Sequence, residues 1–142
     1  MPTQLQSPEI QAFATGFPLT LLHAGVTMLI LVLGTTLCAL LTPHKEIALI
    51  RDGNAAAALS LGGVMIGLAI PLAVSLSAST SIVEIAVWGV ATVVVQLLVF
   101  RIVDMVLRGL PQRIQDGEVA AAALLIGAKL ATALVLAAAV AG

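Results

Sequence analysis

The chain has 142 residues, of which 61% are hydrophobic and 9% charged, and its mean hydropathy is +1.18. Soluble globular domains carry about 25% charged residues, and so short a chain has too little interior to hide this much apolar surface from water, so its solvent is lipid. A net charge of -1 and a pI near 6.0 exclude the basic surface that a nucleic-acid partner needs.

Residues 1–16 contain Glu9 but no Lys or Arg. They lack the positive region of a signal peptide, and the apolar run behind them is too long for one, so the segment reads as retained. The first predicted span covers residues 17–41 and carries no charge. A spanning helix takes about 20 apolar residues. Runs of this length without alternation exclude barrel strands, which need about 10 residues. His23 reads as a residue of the outer interface. Cys38 is the single cysteine; without an internal partner it reads as a small packing residue.

Residues 43–51 alternate in character, with His44, Lys45, Glu46 and Arg51 polar and Ile47, Leu49 and Ile50 apolar. The pattern predicts a short amphipathic helix on the membrane surface, with Pro43 in its first turn. Gly53 then permits a backbone conformation closed to other residues. Asn54 is placed to cap the next helix, and Asp52 sits near its positive end. The second span, residues 55–79, is uncharged. Its Gly63 and Gly67 form a GxxxG pair, which lets helix backbones approach closely in lipid. Pro71 removes one backbone hydrogen bond and predicts a kink, with Ser75 and Ser77 placed to satisfy the freed groups. The kink is either a tolerated one or a discontinuity that lines a cavity.

After the turn at residues 77–80, the third span (residues 81–107) is apolar between Glu84 and Arg101. Glu84, like His23, reads as an outer-interface residue, with a proton-handling pair as the alternative. Gln96 falls near the midplane. Arg101, Asp104 and Arg108 share one helical stripe and predict an interfacial row of ion pairs. The fourth span, residues 118–140, is interrupted only by Lys129. The turn before it, Ile114-Gln115-Asp116-Gly117-Glu118, repeats Ile50-Arg51-Asp52-Gly53-Asn54 at an offset of 64 residues. The same offset pairs Gly25 with Gly89, Leu33 with Leu97, Gly63 with Gly127 and Ala69 with Ala133. Ala123 and Gly127 therefore form a small-xxx-small pair matching the GxxxG. Either the second and fourth spans cross there, or one of them faces another subunit.

Together these segments predict an all-α membrane protein forming a single domain over residues 1–142, with four transmembrane helices built as two tandem helical hairpins, residues 17–79 and 81–142. Lys45, Arg51, Arg101, Arg108 and Arg113 all fall on one side, and the other side has no Lys or Arg. The positive-inside rule then puts both turns in the cytoplasm and both termini outside. Two repeats of like orientation are related by an axis along the membrane normal, as in parallel-repeat transporters. Phe13, Phe17 and Trp88 fall near the outer interface and Phe100 near the inner one.

Lys129 most needs an explanation. It lies 11 residues after Glu118, about 17 Å deep at roughly 1.5 Å per residue. A lysine at the midplane costs roughly 2.5–3.5 kcal/mol, and no carboxylate of this chain is expected at that depth, with Glu84 near the outer face and Asp104 near the inner one. An uncharged amine, a snorkelling side chain and a side chain facing a water-filled cavity all remain open. Lys129, Gln96 and Pro71 form one candidate site, at the midplane. Asp52, Gly53, Asn54, Asp116, Gly117 and Glu118 form another, as cytoplasmic docking turns, against the plainer reading that they only re-enter the membrane.

Thr42-Pro43-His44-Lys45-Glu46, Ile50-Arg51-Asp52-Gly53-Asn54 with its following alanines, Ile70-Pro71-Leu72, Trp88-Gly89 and Gln96-Leu97 resemble, in this order, the YjfL-type bacterial membrane proteins. This is a family whose domain is named for its unknown function. The similarity covers about residues 20–135. It implies a four-helix inner-membrane protein with two internal repeats, associated with the cell envelope and often encoded beside peptide-ligase-like enzymes. The residues themselves hold no metal-ligand spacing, no nucleophile with a base and no phosphate-binding glycine loop; neither an enzyme nor a cofactor is expected. Two functions fit. One is an oligomeric channel or transporter subunit for an ion or small solute. The other is a membrane scaffold that docks a cytoplasmic or membrane protein partner.

Overall fold

The computed structural model describes residues 7–79 and 81–142. Among them lie α1 (Pro8–Leu41), α2 (Glu46–Arg51), α3 (Ala55–Ala78), α4 (Ile82–Leu107), α5 (Leu110–Gln115) and α6 (Val119–Ala141), with no strand among the described residues. α1, α3, α4 and α6 are long and apolar enough to cross a membrane. The chain is an all-helical membrane protein, and each pair of spans is joined at one end by a six-residue helix.

α1 begins at Pro8 rather than at residue 17. The sequence supplies the start: the Ser7 hydroxyl accepts from the Ile10 N–H, Pro8 occupies the first turn and Glu9 lies near the positive helix end. At 34 residues the helix is about 51 Å long, well beyond the roughly 30 Å of hydrocarbon. Its first turns are exposed on every side, with Phe13 and Phe17 stacked at 4.9 Å.

α3 and α6 form the centre, and α1 and α4 pack around them. Ala56, Ala57, Ser60, Gly63, Val64 and Gly67 are buried on α3, and Ala121, Ala122, Leu125, Lys129 and Ala133 on α6. Gly63 permits the approach, because a Cβ there would meet Ile126 Cγ1 at 2.9 Å. The expected matching pair on α6 is not part of this contact. Ala123 and Gly127 are exposed, and no atom lies within 4 Å of a Cβ placed on Gly127. The buried stripe runs through Ala122, Leu125, Lys129 and Ala133, and a helix turns about 100° per residue, which carries Ala123 off that face.

The two turns share one geometry. Gly53 has φ 87° and Gly117 φ 77°. The Gly53 N–H donates to Ile50 O and the Gly117 N–H to Ile114 O, each at 3.0 Å; the Asn54 N–H donates to Leu49 O and the Glu118 N–H to Arg113 O, each at 2.9 Å. Such bonds close a helix C-terminus through a left-handed glycine. The Asn54 side chain also accepts from the Ala57 N–H at 3.0 Å, as expected of a cap, whereas Glu118 makes no side-chain cap.

Asp104 departs from the expected ion-pair row. Its Oδ1 accepts from the Leu110 N–H at 2.8 Å, and among the described residues it has no ion pair within 4.0 Å. A short carboxylate finds the free N–H at the start of α5 nearer than the neighbouring guanidinium groups, which are exposed. Leu110 and Ile114 are fully buried and join Phe100, Val103 and Leu125 in the core at the turn end of the bundle.

A buried His–Glu–Ser cluster beside Lys129

After Leu41 the chain leaves the helix through Thr42, whose N–H and hydroxyl both donate to Cys38 O, at 3.1 and 2.6 Å. Pro43 follows, a residue that cannot continue a helix. The Glu46 N–H then donates to His44 O at 3.1 Å. This bend turns His44 and Glu46 inward, leaving them 4% and 3% exposed, while Ile47 is 57% exposed. The surface-helix reading of residues 43–51 is thereby corrected: the helix exists, but its sides are inverted at this end. Lipid is as apolar as a protein core, so Ile47 loses little by facing outward, whereas a carboxylate must find partners inside.

Glu46 finds them. Its Oε1 accepts from His44 Nε2 and from the Ser60 hydroxyl, both at 3.1 Å. Its Oε2 and His44 Nδ1 are shielded from solvent and make no hydrogen bond. The Phe100 ring lies 6.3 Å from that of His44 and 5.8 Å from Lys129 Nζ, a distance at which the ring face attracts a cation. Lys129 is 3% exposed and lies within Coulombic range of Glu46 and Cys38. The expected isolation of Lys129 is thus corrected as well. Its neighbouring carboxylate comes from a connecting segment, which a count of residue depth along the spans leaves out.

Gln96 and Pro71 are brought together with Lys129, but through its backbone. Pro71 lacks the N–H that would bond Gly67 O four residues earlier. Gln96 Nε2, fully buried, donates to that same Gly67 O and to Lys129 O, both at 3.3 Å. Ser75 and Ser77, expected to serve the freed groups, do not: the Ser77 hydroxyl donates to Val74 O at 2.8 Å, and Ser75 Oγ makes no hydrogen bond. Gly67 leaves room for this amide, because a Cβ there would sit 2.9 Å from Gln96 Nε2 and push it aside. Gln96 is therefore a clamp from α4 onto the backbones of α3 and α6, and α3 runs unbroken through Pro71.

The turn residues divide into two kinds. Asn54 Nδ2 donates to Ile114 O at 2.9 Å and to Gln115 O at 3.1 Å, tying the first turn to α5. Glu118 pairs with Arg113 at 3.0 Å across partly exposed side chains. Asp52 and Asp116 are exposed, and Asp116 accepts from Gln112 Nε2 at 2.9 Å. Near the opposite end of the bundle, the Glu84 carboxylate accepts from the Ser79 hydroxyl, and His23 Nδ1 donates to Leu19 O at 2.9 Å. Among the described residues, no three His, Cys, Asp or Glu side chains gather as a metal site.

His44, Glu46, Ser60 and Phe100 were not among the predicted site residues, although one signal in the sequence singles out Glu46. The 64-residue offset pairs it with Leu110. Each is the first residue of its short helix, and each is buried.

The chain as a whole is similar to known proteins. The family model described as Domain of Unknown Function (DUF350) matches residues 12–140. The UPF0719 inner membrane protein YjfL of Escherichia coli (strain K12) is 36% identical over 107 residues, covering 75% of this chain and 80% of that protein. The protein of the same name from Escherichia coli O157:H7 is similar to the same extent, 36% over 107 residues. No solved structure matches.

Proposed function

The chain belongs to the DUF350 family, and on that premise we propose that it is an oligomeric channel or transporter subunit of the bacterial inner membrane, acting on an ion or small solute. Its working centre is the cluster of His44, Glu46 and Lys129. The observation that carries this reading is the burial of these three polar side chains among apolar helices. Charged groups within a membrane are expensive and mark ion or substrate pathways by default. Four helices packed this closely leave no wide path between them, so the conducting unit joins several copies. The inner-membrane assignment draws on the printed name of the relatives. The orientation, with both turns in the cytoplasm and both termini outside, and the tandem duplication rest on loop charge and on the 64-residue offset.

Purified protein reconstituted into ion-loaded liposomes tests the proposal. Flux above that of empty vesicles is expected, falling about tenfold or more in Lys129→Met and Glu46→Gln and little in Asp52→Asn. Flux equal to empty vesicles would remove the reading.

A docking role is the second reading, and the Asn54 bonds to Ile114 and Gln115 favour it. They hold the two turns side by side, with Asp52 and Asp116 both exposed. Co-purification in mild detergent decides it: a partner retained by the native chain is lost in the doubly substituted Asp52→Ala, Asp116→Ala protein, and docking fails if every partner persists.

A further inference from the structure

The His44–Glu46 cluster borders a cavity of about 500 Å³, far more than the roughly 30 Å³ that one water occupies. Thr35, Ala39 and Leu40 of α1 line it, with Thr42 to Lys45 of the connection, Glu46 to Ala48 of α2 and Leu61 of α3. The wall is mostly aliphatic. Three of the lining residues carry a polar atom that is shielded and unpartnered: Thr35 Oγ1, His44 Nδ1 and Glu46 Oε2. A buried polar atom without a partner costs about as much as a lost hydrogen bond and calls for an explanation.

The chemistry of the three atoms is uniform. Glu46 Oε1 already accepts from His44 Nε2 and from the Ser60 hydroxyl. The imidazole tautomer that donates from Nε2 leaves Nδ1 as a lone pair. Carboxylate Oε2 only accepts, and the threonine oxygen can accept. Residues that line the cavity thus carry three unsatisfied acceptors, set just behind an apolar wall. Lys129 does not claim Oε2: its Nζ lies 5.8 Å from the centre of the Phe100 ring, and among the described residues it makes no ion pair within 4.0 Å. At the rim Lys45 is exposed, between Leu40, 76% exposed, and Ile47. An anion is repelled by Glu46. A primary ammonium group supplies three N–H donors and a positive charge, and a phosphate beside it would meet Lys45.

We propose that this cavity binds a primary ammonium group, held by Glu46, His44 and Thr35. Its nearest source is an ethanolamine phospholipid whose phosphate lies against Lys45 and whose chains run along α1. The other source is a small free amine. The site does not depend on the transport reading, since it is tested by binding without flux.

The experiment places the full chain in nanodiscs of a glycerol-headgroup phospholipid doped with ethanolamine or choline phospholipid, and reads retained lipid by native mass spectrometry after detergent exchange. Retention of the ethanolamine lipid is expected to exceed that of the choline lipid, which lacks N–H donors, by about tenfold. Glu46→Gln should abolish that preference, and Thr35→Val should weaken it about threefold. Glu9→Gln, in the first turn of α1 and far from the cavity, should leave it unchanged. Should Glu46→Gln fail to fold, the native headgroup preference and Thr35→Val still decide. In a parallel arm, ethylammonium chloride is titrated against the protein in the undoped discs. Saturable binding there without lipid preference assigns the same site to a free amine. Equal retention of the two lipids together with no ethylammonium binding overturns the proposal, as does a preference that Glu46→Gln leaves intact.

Discussion

At the scale of the residue, Gln96 shows how one side chain serves three helices. Pro71 withholds a donor from Gly67 O, and the Gln96 amide supplies one from α4. This coupling is open to measurement. Gln96→Leu alone should destabilise the bundle by about 1 kcal/mol, since hydrogen bonds between membrane helices are modest. In a Pro71→Ala background, where the helix regains its own N–H, the same change should cost measurably less. A double-mutant cycle by unfolding in mixed micelles reads the difference, and additive costs would refute the coupling. Gly67→Ala should cost about 1–3 kcal/mol, because its Cβ would displace the clamp. None of this partnership is visible locally in sequence. Pro71 announces a missing bond, but its replacement donor lies 25 residues on, in another helix.

At the scale of the element, the two turns have matching backbones but unequal side chains. Asn54 both caps α3 and bridges to α5, whereas Glu118 makes a half-exposed ion pair. Losing a cap costs about 1 kcal/mol, and exposed pairs contribute about 0–1 kcal/mol. Asn54→Ala should therefore lower thermal stability in detergent clearly more than Glu118→Gln; the reverse order would show that the bridge contributes nothing. These turns and the four spans were legible in sequence because each signal is local: an apolar run of sufficient length, or an Asp-Gly pair before a run of alanines. The face of the helix at residues 46–51 was not. Its alternation fixes a polar side and an apolar side, but which one meets the protein depends on what α3 and α4 present. Ser60 and Phe100 present partners for Glu46 and His44 rather than an apolar wall.

At the scale of the whole molecule, α1 outlasts the other spans: 34 residues against 24, 26 and 23. The orientation read from loop charge is open to a labelling test. In a Cys38→Ala background, a membrane-impermeant maleimide added to spheroplasts should label Ala141→Cys. Gln115→Cys should react only after permeabilisation, and labelling in the opposite order would invert the topology.

The packing of α3 against α6 joins the second span to be synthesised with the last. Until residues 119–141 enter the bilayer, Gly63 has no Ile126 to meet and the α3 face that α6 covers is open. A chain stopped before α6 is expected to expose that face to lipid and to be degraded faster than the full chain, which pulse-chase labelling of the two would read.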